Sequence, residues 1–500
     1  MRAKKIFPVE WLDMKPYNNS DSVDLYYVGL ANKIMDFLAK SDLDEYFKDD
    51  VILRKASLYF ASWFEDICSN LGMWALVNKE CNARYGSVLP FYDVSEYYEG
   101  EVNPQDISLL LWHFMQVYNE KNTLLNPENP WILKTALDLT RLLDAEYESA
   151  PENERLYDFI HNGRIGENWW ECRKLLEWFH MFSYVFLGAP EAINESMADS
   201  EFEDMPLPKR MYMTVTEHIF NYKHNLLSLS TWQWLAKITG NAVFDEIERT
   251  KPSMFLYKGR ETTRFRLYDL VEDKEYGVEM DSFADGSMPI RNYEEDKTLV
   301  YTTLVRFEGR YYISGLMTEL RGVGKVKIDE AVEEMRYQRE QESQQKENYS
   351  AFLAASGGDP AVIVKDRDAV RKFFVEKMRF TEEDEFDMPA VVSLPKCYSI
   401  YGDPLNGVCI SPNNGQCIAL KGNKFYNKEY AKREGIGFYV NNGSVPYRVA
   451  CILHGQGLIP DAAINSLKGY EYGRDFLHKN GDFFLDYFYH STREYDLLPY

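Results

Sequence analysis

Cysteine is sparse in this chain, with seven among 500 residues, at 68, 81, 172, 397, 409, 417 and 451. The number is odd and no two are spaced Cys-x-x-Cys, which excludes a disulfide framework and fits reduced, mostly buried thiols in a cytoplasm. Long apolar runs are missing too. The longest helix-like uncharged run, WFHMFSYVFLGAP at 178–190, has thirteen residues, too few to cross a bilayer. The basic start MRAKKIFPVEWLDMKPY leads into no apolar stretch, so no secretory signal is expected. Positive charge is also short: 56 basic residues against 79 acidic ones leave a net charge of −23. Such a chain repels phosphate backbones and anionic lipid surfaces, so neither nucleic acid nor membrane is an expected partner. Acidity is densest in 141–205, with fifteen acids and five bases.

Catalytic signatures are absent as well. No His-Glu-x-x-His, Gly-x-Ser-x-Gly or catalytic-cysteine pattern occurs. RGVGKVK at 321–327 resembles a phosphate loop, but Glu319 stands where the first glycine belongs and Val326 where Ser or Thr belongs. HGQG at 454–457 lacks the third glycine of a dinucleotide fingerprint.

What is present is apolar and aromatic material, 45% and 15% of the chain, including 36 tyrosines and ten tryptophans. That is enough for sizeable cores, and the length suits two or three domains. Residues 1–252 read as a mainly helical domain. Apolar positions 23, 26, 27, 30, 34, 37 and 38 follow the helical period of about 3.6. A second long segment over 51–80 is interrupted at Gly72, and helices are expected near 131–147, 153–162, 167–187, 207–224 and 231–249. After Pro252 the period changes to alternation. RFRLYDLVEDKEYGVEM turns at Asp273–Lys274 and TLVYTTLVRFEGRYYISGLM turns at Glu308–Gly309, so 253–325 reads as a small antiparallel sheet or barrel. Residues 326–358 read as a connecting helix or linker with a thin stripe of Ile328, Ala331, Val332 and Met335. Residues 359–500 read as an α+β domain: a helix at Asp366–Arg379, strands and loops over 395–423, a helix ending near Gly455 and an aromatic helical end at 470–490.

The stretch DVSEYYEGEVNPQDISLLLWHF at 93–114 gathers Asp93, Glu96, Glu99, Glu101, Asp106 and His113. Asn103, Pro104 and Asp106 spell a helix start: a capping residue, a proline at the first position and an acid complementing the dipole. Ile107, Leu110, Leu111, Phe114 and Val117 then form one stripe, with His113 at its edge. The competing reading folds an acid such as Glu99 or Glu101 onto His113. Glu65–Asp66 is another conspicuous pair. Adjacent helical residues point about 100° apart, so at most one should face the core. Glu177–His180 has the Glu-x-x-His spacing of di-iron bundles but no second copy. Cys451 and His454, with Cys409 and Cys417, have the wrong spacing for a zinc knuckle. No cofactor and no metal is expected.

FEDICSNLGMWALVNK followed by LPFYDVSEYYEGEVNPQDISLLLWHF resembles an uncharacterised domain-of-unknown-function family of Bacteroidetes, many of them gut bacteria. GLIPDAAINSLKGYEYGRDFLHKNGDFFLDYFYH resembles that family's ending, where Leu-Pro-Asp-Ala and a late Asn-x-Asp-Phe recur. Here Ile459 intervenes before Pro460, and Gly481 separates Asn480 from Asp482. The resemblance covers most of the chain, least so 326–357. It implies a bacterial cytosolic origin and carries no site residues.

The leading functional expectation is a protein that acts by binding, with another protein as partner. The rival is a hydrolase or transferase whose Glu65, Asp66, Glu101 and His113 converge only in the fold. A weaker third is a defence or mobile-element protein using a local basic patch on nucleic acid.

Overall fold

The computed structural model describes residues 5–119, 123–163, 168–198, 206–282, 292–314, 317–321, 324–381, 394–461 and 468–493. Helices make up the first half: α1 (Pro8–Leu12), α2 (Ser22–Leu38), α3 (Asp50–Ser69), α4 (Met73–Tyr85), α5 (Pro104–Val117), α6 (Pro130–Tyr147), α7 (Glu154–His161), α8 (Trp169–Phe182), α9 (Ala189–Ala198) and α10 (Leu207–Asn221). A short ladder, β1 (Lys223–His224) against β2 (Leu229–Ser230), leads into α11 (Thr231–Thr239). The sequence pattern placed most of these correctly. The helix expected over 231–249 is shorter, because Gly240 adopts a left-handed conformation at φ 65° and closes it.

The break expected at Gly72 is a turn between two helices. Asn70 (φ 51°) and Gly72 (φ 93°) both take left-handed backbone, and the chain reverses there from α3 into α4. α3 is central to the molecule: every residue from Tyr59 to Asp66 is buried, so this helix is packed on all sides.

The second region is an eight-stranded sheet. Its members are β3 (Glu248–Arg249), β4 (Ser253–Arg260), β5 (Arg264–Asp269), β6 (Lys274–Glu279), β7 (Leu299–Thr302), β8 (Leu304–Phe307), β9 (Arg310–Ile313) and β10 (Thr318–Glu319). Their order is β10-β7-β4-β5-β6-β9-β8-β3. Both expected hairpins form, with Asp273 at φ 52° in one turn and Glu308–Gly309 at φ 48° and 72° in the other. All neighbours are antiparallel except β6 and β9, which meet in parallel at Val278 and Tyr311. Phe255, Phe265, Leu267, Val278, Val300 and Leu304 form its core.

α12 (Lys325–Ser356) spans from this sheet to the next one. At its start Ile328 and Val332 pack on Val271, and Arg336 donates to the Leu270 carbonyl at 2.6 Å. At its end Phe352 lies against a three-stranded antiparallel sheet of β11 (Ala361–Val364), β12 (Tyr398–Asp403) and β13 (Gly407–Pro412), flanked by α13 (Arg367–Lys377). Close approach requires glycine there: a Cβ at Gly402 would stand 2.5 Å from a Phe352 ring carbon.

The chain ends in α14 (Lys428–Glu434), α15 (Gly437–Val440), α16 (Tyr447–Gly455), α17 (Tyr470–Lys479) and α18 (Gly481–Phe488). These helices return to the first half. Phe91 packs between Phe476, Phe483 and Phe484, and Trp112 lies 5.0 Å from Tyr487, ring to ring. One apolar cluster therefore extends from Ile6 to Tyr489. The architecture is a mainly helical N-terminal region, an antiparallel-rich sheet and an α+β C-terminal region. Among the described residues no helix is long and apolar enough to cross a membrane.

Candidate functional site

The α3–α4 turn organises a polar cleft in the helical half. Asp66, one turn from the end of α3, reaches over the turn to the start of α4. Its Oδ1 accepts from the Met73 N–H at 3.2 Å, and its Oδ2 from the Trp74 N–H at 2.7 Å and the Tyr184 hydroxyl at 2.6 Å. These donors favour the ionised form, but burial opposes it more strongly, and the carboxyl is pushed up to about 6.

A second carboxyl, Asp106 on the first turn of α5, lies fully buried nearby. Its Oδ2 accepts from Asn103 Nδ2 at 3.2 Å, and its Oδ1 lies 2.8 Å from the Tyr97 hydroxyl. Burial pushes this carboxyl up to about 7, against the hydrogen bonds it accepts. Proton counting agrees. The Tyr97 hydroxyl also lies 3.0 Å from Asn78 Oδ1, while Asn78 Nδ2 donates to the Val88 carbonyl, which fixes that amide's orientation. One hydroxyl proton cannot serve two acceptors at once. A protonated Asp106 resolves the shortage by donating to Tyr97, which then donates to Asn78. The neutral acid satisfies every group in the chain; the carboxylate takes the Tyr97 proton and leaves Asn78 Oδ1 to the open cleft.

Above these groups is an open cleft of about 410 Å³. Asp66, Trp74 and Asn78 form its buried floor, and Lys79, Asn82 and Glu99 its exposed rim. The floor offers a carboxylate and an amide, and the rim one cation and one anion. This suits a small ligand with hydroxyl or amino groups.

The residues singled out from sequence separate in the fold. Glu65 and Asp66 are both buried, at 1% and 2% exposure, contrary to the expectation that at most one faces the core. That expectation treated α3 as a surface helix, whereas it is enclosed. Glu65 has different partners from Asp66: it pairs with Lys15 and accepts from Asn153 Nδ2 at 2.8 Å. Lys15 in turn lies 3.9 Å over the Trp11 ring, so Glu65 anchors the N-terminal segment. Asp93, Glu96, Glu99 and Glu101 are exposed, and Asp93 is occupied in receiving the Ser95 N–H at 3.0 Å.

His113 is not at the core's edge. It is 0% exposed, with Nδ1 2.8 Å from the Tyr487 hydroxyl and the His224 ring 5.3 Å away. Burial holds its imidazole well below the ordinary histidine range. No acid of the 93–106 stretch contacts it. The edge assignment failed because it counted only the α5 stripe and not the C-terminal helices that cover the other face. Asn103 does occupy the cap position, but its side chain does not cap. Its Oδ1 accepts from the Tyr98 N–H at 3.0 Å, and its Nδ2 lies 2.8 Å from the Tyr98 carbonyl and 3.0 Å from that of Glu101. It stitches the 98–103 loop shut.

The remaining motifs also divide. Glu177 accepts from Arg173 Nε at 2.7 Å, while His180, fully buried, has Nδ1 2.9 Å from Thr231 Oγ1. His454 stacks on His478 rather than meeting Cys409 and Cys417. Among the described residues no group of three or more His, Cys, Asp or Glu side chains could hold a metal ion. In RGVGKVK, Gly322 and Val323 lie outside the described residues. The sequence reading missed Trp74, Asn78, Tyr97 and Tyr184. Trp74 and Asn78 carried the only readable signal, four residues apart on α4 just beyond the Gly72 break.

Residues 5–275 and 312–490 match the family described as Protein of unknown function (DUF3843). The chain belongs to this family. Comparison with curated proteins and with solved structures found no match. Within this DUF3843 chain, the cleft lining from Asp66 to Gly100, and Asp106 behind it, fall in the first matched stretch, and the α17–α18 aromatics that cover His113 fall in the second.

Proposed function

We propose that this protein binds a small hydroxyl- or amine-bearing ligand in the cleft over Trp74, with Asp66 as the principal contact. One observation carries the reading. Two buried carboxyls, from α3 and α5, both titrate near neutrality around a single cleft, and one of them lines its floor. Structural ion pairs do not require such carboxyls, whereas a ligand site benefits from a proton that exchanges near pH 7. The aromatic surplus that suggested a protein partner is spread through the core, and Trp131 is the one exposed tryptophan. A small ligand is therefore favoured over a protein partner.

A second reading gives the same cleft acid–base chemistry, as in a hydrolase or transferase. It rests on the proton chain Asp106–Tyr97–Asn78, which holds a neutral acid beside the more acidic Asp66. Further elements of the proposal are a cytoplasmic location and a Bacteroidetes origin. Seven free cysteines, six of them with thiols raised by burial, support a reducing compartment.

The test is a titration of the whole chain with a panel of neutral polyols and primary amines, followed by tryptophan fluorescence and NMR. The proposal expects at least one class to bind, with an affinity that changes as a group near pH 6 titrates and that falls in Glu99→Gln or Lys79→Ala. Failure of every probe to perturb the cleft resonances would overturn it. Turnover of a bound probe would select the acid–base reading.

A further inference from the structure

α9 and α10 line a second pocket, of about 430 Å³, open to solvent and separate from the Trp74 cleft. Its wall combines Ser196, Arg210, Met213, His218, Asn221 and Tyr222. Arg210 is the unusual member. Its Nε is buried without a hydrogen-bond partner, and among the described residues no carboxylate pairs with it. The nearest candidate on the wall, Glu217, is already held by both terminal nitrogens of Arg249 and accepts from Asn221 Nδ2 at 3.2 Å. In a chain with 79 acids against 56 bases, a guanidinium whose buried Nε has no partner among the described residues is not a general surface feature.

His218 adds a second unused donor. Ser196 Oγ lies 3.0 Å from its Nε2, and its ring stacks on Tyr222 at 17°. Burial lowers its basicity, so the ring is neutral and carries one N–H. Where Ser196 donates to Nε2, that hydrogen sits on Nδ1, which is buried and has no hydrogen-bond partner among the described residues. A buried donor without an acceptor is costly, and a ligand acceptor would recover that cost. Met213 and the Tyr222 ring supply the apolar part of the wall.

We infer that this cavity binds a small molecule carrying an oxyanion, either carboxylate or phosphate, on an apolar or aromatic body. Arg210 presents a forked set of N–H donors suited to two oxygens of such a group. The His218 Nδ1–H supplies a further contact, and the body lies against Met213 and Tyr222. The surrounding charge is negative, so attraction comes from contact rather than from long-range steering.

The experiment uses the full chain, with benzoate and phenyl phosphate as the two oxyanion arms and benzyl alcohol as the neutral control, read by NMR at pH 7.5. At least one oxyanion is expected to shift α9–α10 resonances saturably, and the stronger arm identifies carboxylate or phosphate. Arg210→Gln should weaken that binding by about tenfold or more, the loss typical of a charge-assisted contact, and His218→Gln should weaken it less. Lys346→Ala, on the exposed middle of α12, should leave it unchanged. Absence of binding by both oxyanions, equal binding of benzyl alcohol, or full binding by an Arg210→Gln chain that melts like the parent would each overturn the assignment. The Trp74 cleft proposal is untouched by these outcomes, because its probes and variants are different.

Discussion

The Tyr487 hydroxyl lies 2.8 Å from His113 Nδ1, although 374 residues separate them in the chain. This contact joins the last helix to the middle of the helical body, and it fixes what His113 can do. An imidazole sealed beneath α18 is a core group, not an acid–base group for the acids of 93–106.

Replacement of His113 should therefore damage stability. His113→Ala removes a fully buried ring, leaves a cavity and strands the Tyr487 hydroxyl. The expected loss is about 3 kcal/mol in denaturant unfolding. A loss near zero would return His113 to the core's edge.

Asn103 gives a second, comparative test. Asn129 is an ordinary cap, accepting from the Trp131 N–H at 3.0 Å, and Asn129→Ala should cost about 1 kcal/mol. Asn103→Ala loses the contacts to Tyr98, Glu101 and Asp106 and strands buried partners. It should cost about 2–3 kcal/mol. Equal losses for the two variants would contradict the loop-stitching role.

Stability should fall as pH drops below neutrality. Burial keeps His113 well below its ordinary value, His180 and His224 at about 3, and His490 at about 4. These four are neutral when folded and protonated when unfolded, so their contribution is present above about pH 6.5 and is lost as pH falls toward their folded values. Asp66 and Asp106 act in the opposite sense. Their folded values are raised, so they bind protons in the folded state first and add stability as pH falls through 7 and 6 toward 4. Near pH 5, unfolding takes up about four protons on histidine and releases about two from aspartate. The net uptake of about two makes stability fall by about 2–3 kcal/mol per pH unit. Denaturant midpoints at pH 7, 6 and 5 measure it directly, and a flat or rising series would contradict it.

A protease site placed in the exposed middle of α12, near 340, tests how the chain is held together. Sequence alone reads 326–358 as a connecting helix or linker, with regions on either side of it that a cut there would divide. The Phe91–Phe484 and Trp112–Tyr487 contacts join those fragments through one apolar cluster. The cut chain should run as one particle in native size exclusion. Separation into two would show that this cluster does not hold them.

Local signals were legible and long-range ones were not. The Gly72 break, the Asp273 and Glu308–Gly309 turns and the start of α5 at Pro104 follow from φ preferences and periodicity, which depend on neighbours in sequence. Whether α3 shows one face or all faces to the core depends on helices more than a hundred residues away, so the Glu65–Asp66 pair was misjudged. Asp106 was read correctly as an acid in a first helical turn. Its role was invisible, because Tyr97, Asn78 and Trp74 reach it only through the folded 93–103 loop. Likewise no spacing in the sequence shows that the Arg210 Nε is buried without a partner among the described residues.

The central claim is that Asp66 and Asp106 exchange protons near neutrality at one cleft. Carboxyl carbon NMR of the chain labelled at aspartate, with Asp66→Asn and Asp106→Asn used to assign the two signals, measures this directly. The account predicts midpoints near 6 for Asp66 and near 7 for Asp106, with the Asp106 signal shifting when Tyr97→Phe removes its partner. Midpoints for both below about 4.5, the ordinary carboxyl range, would contradict it.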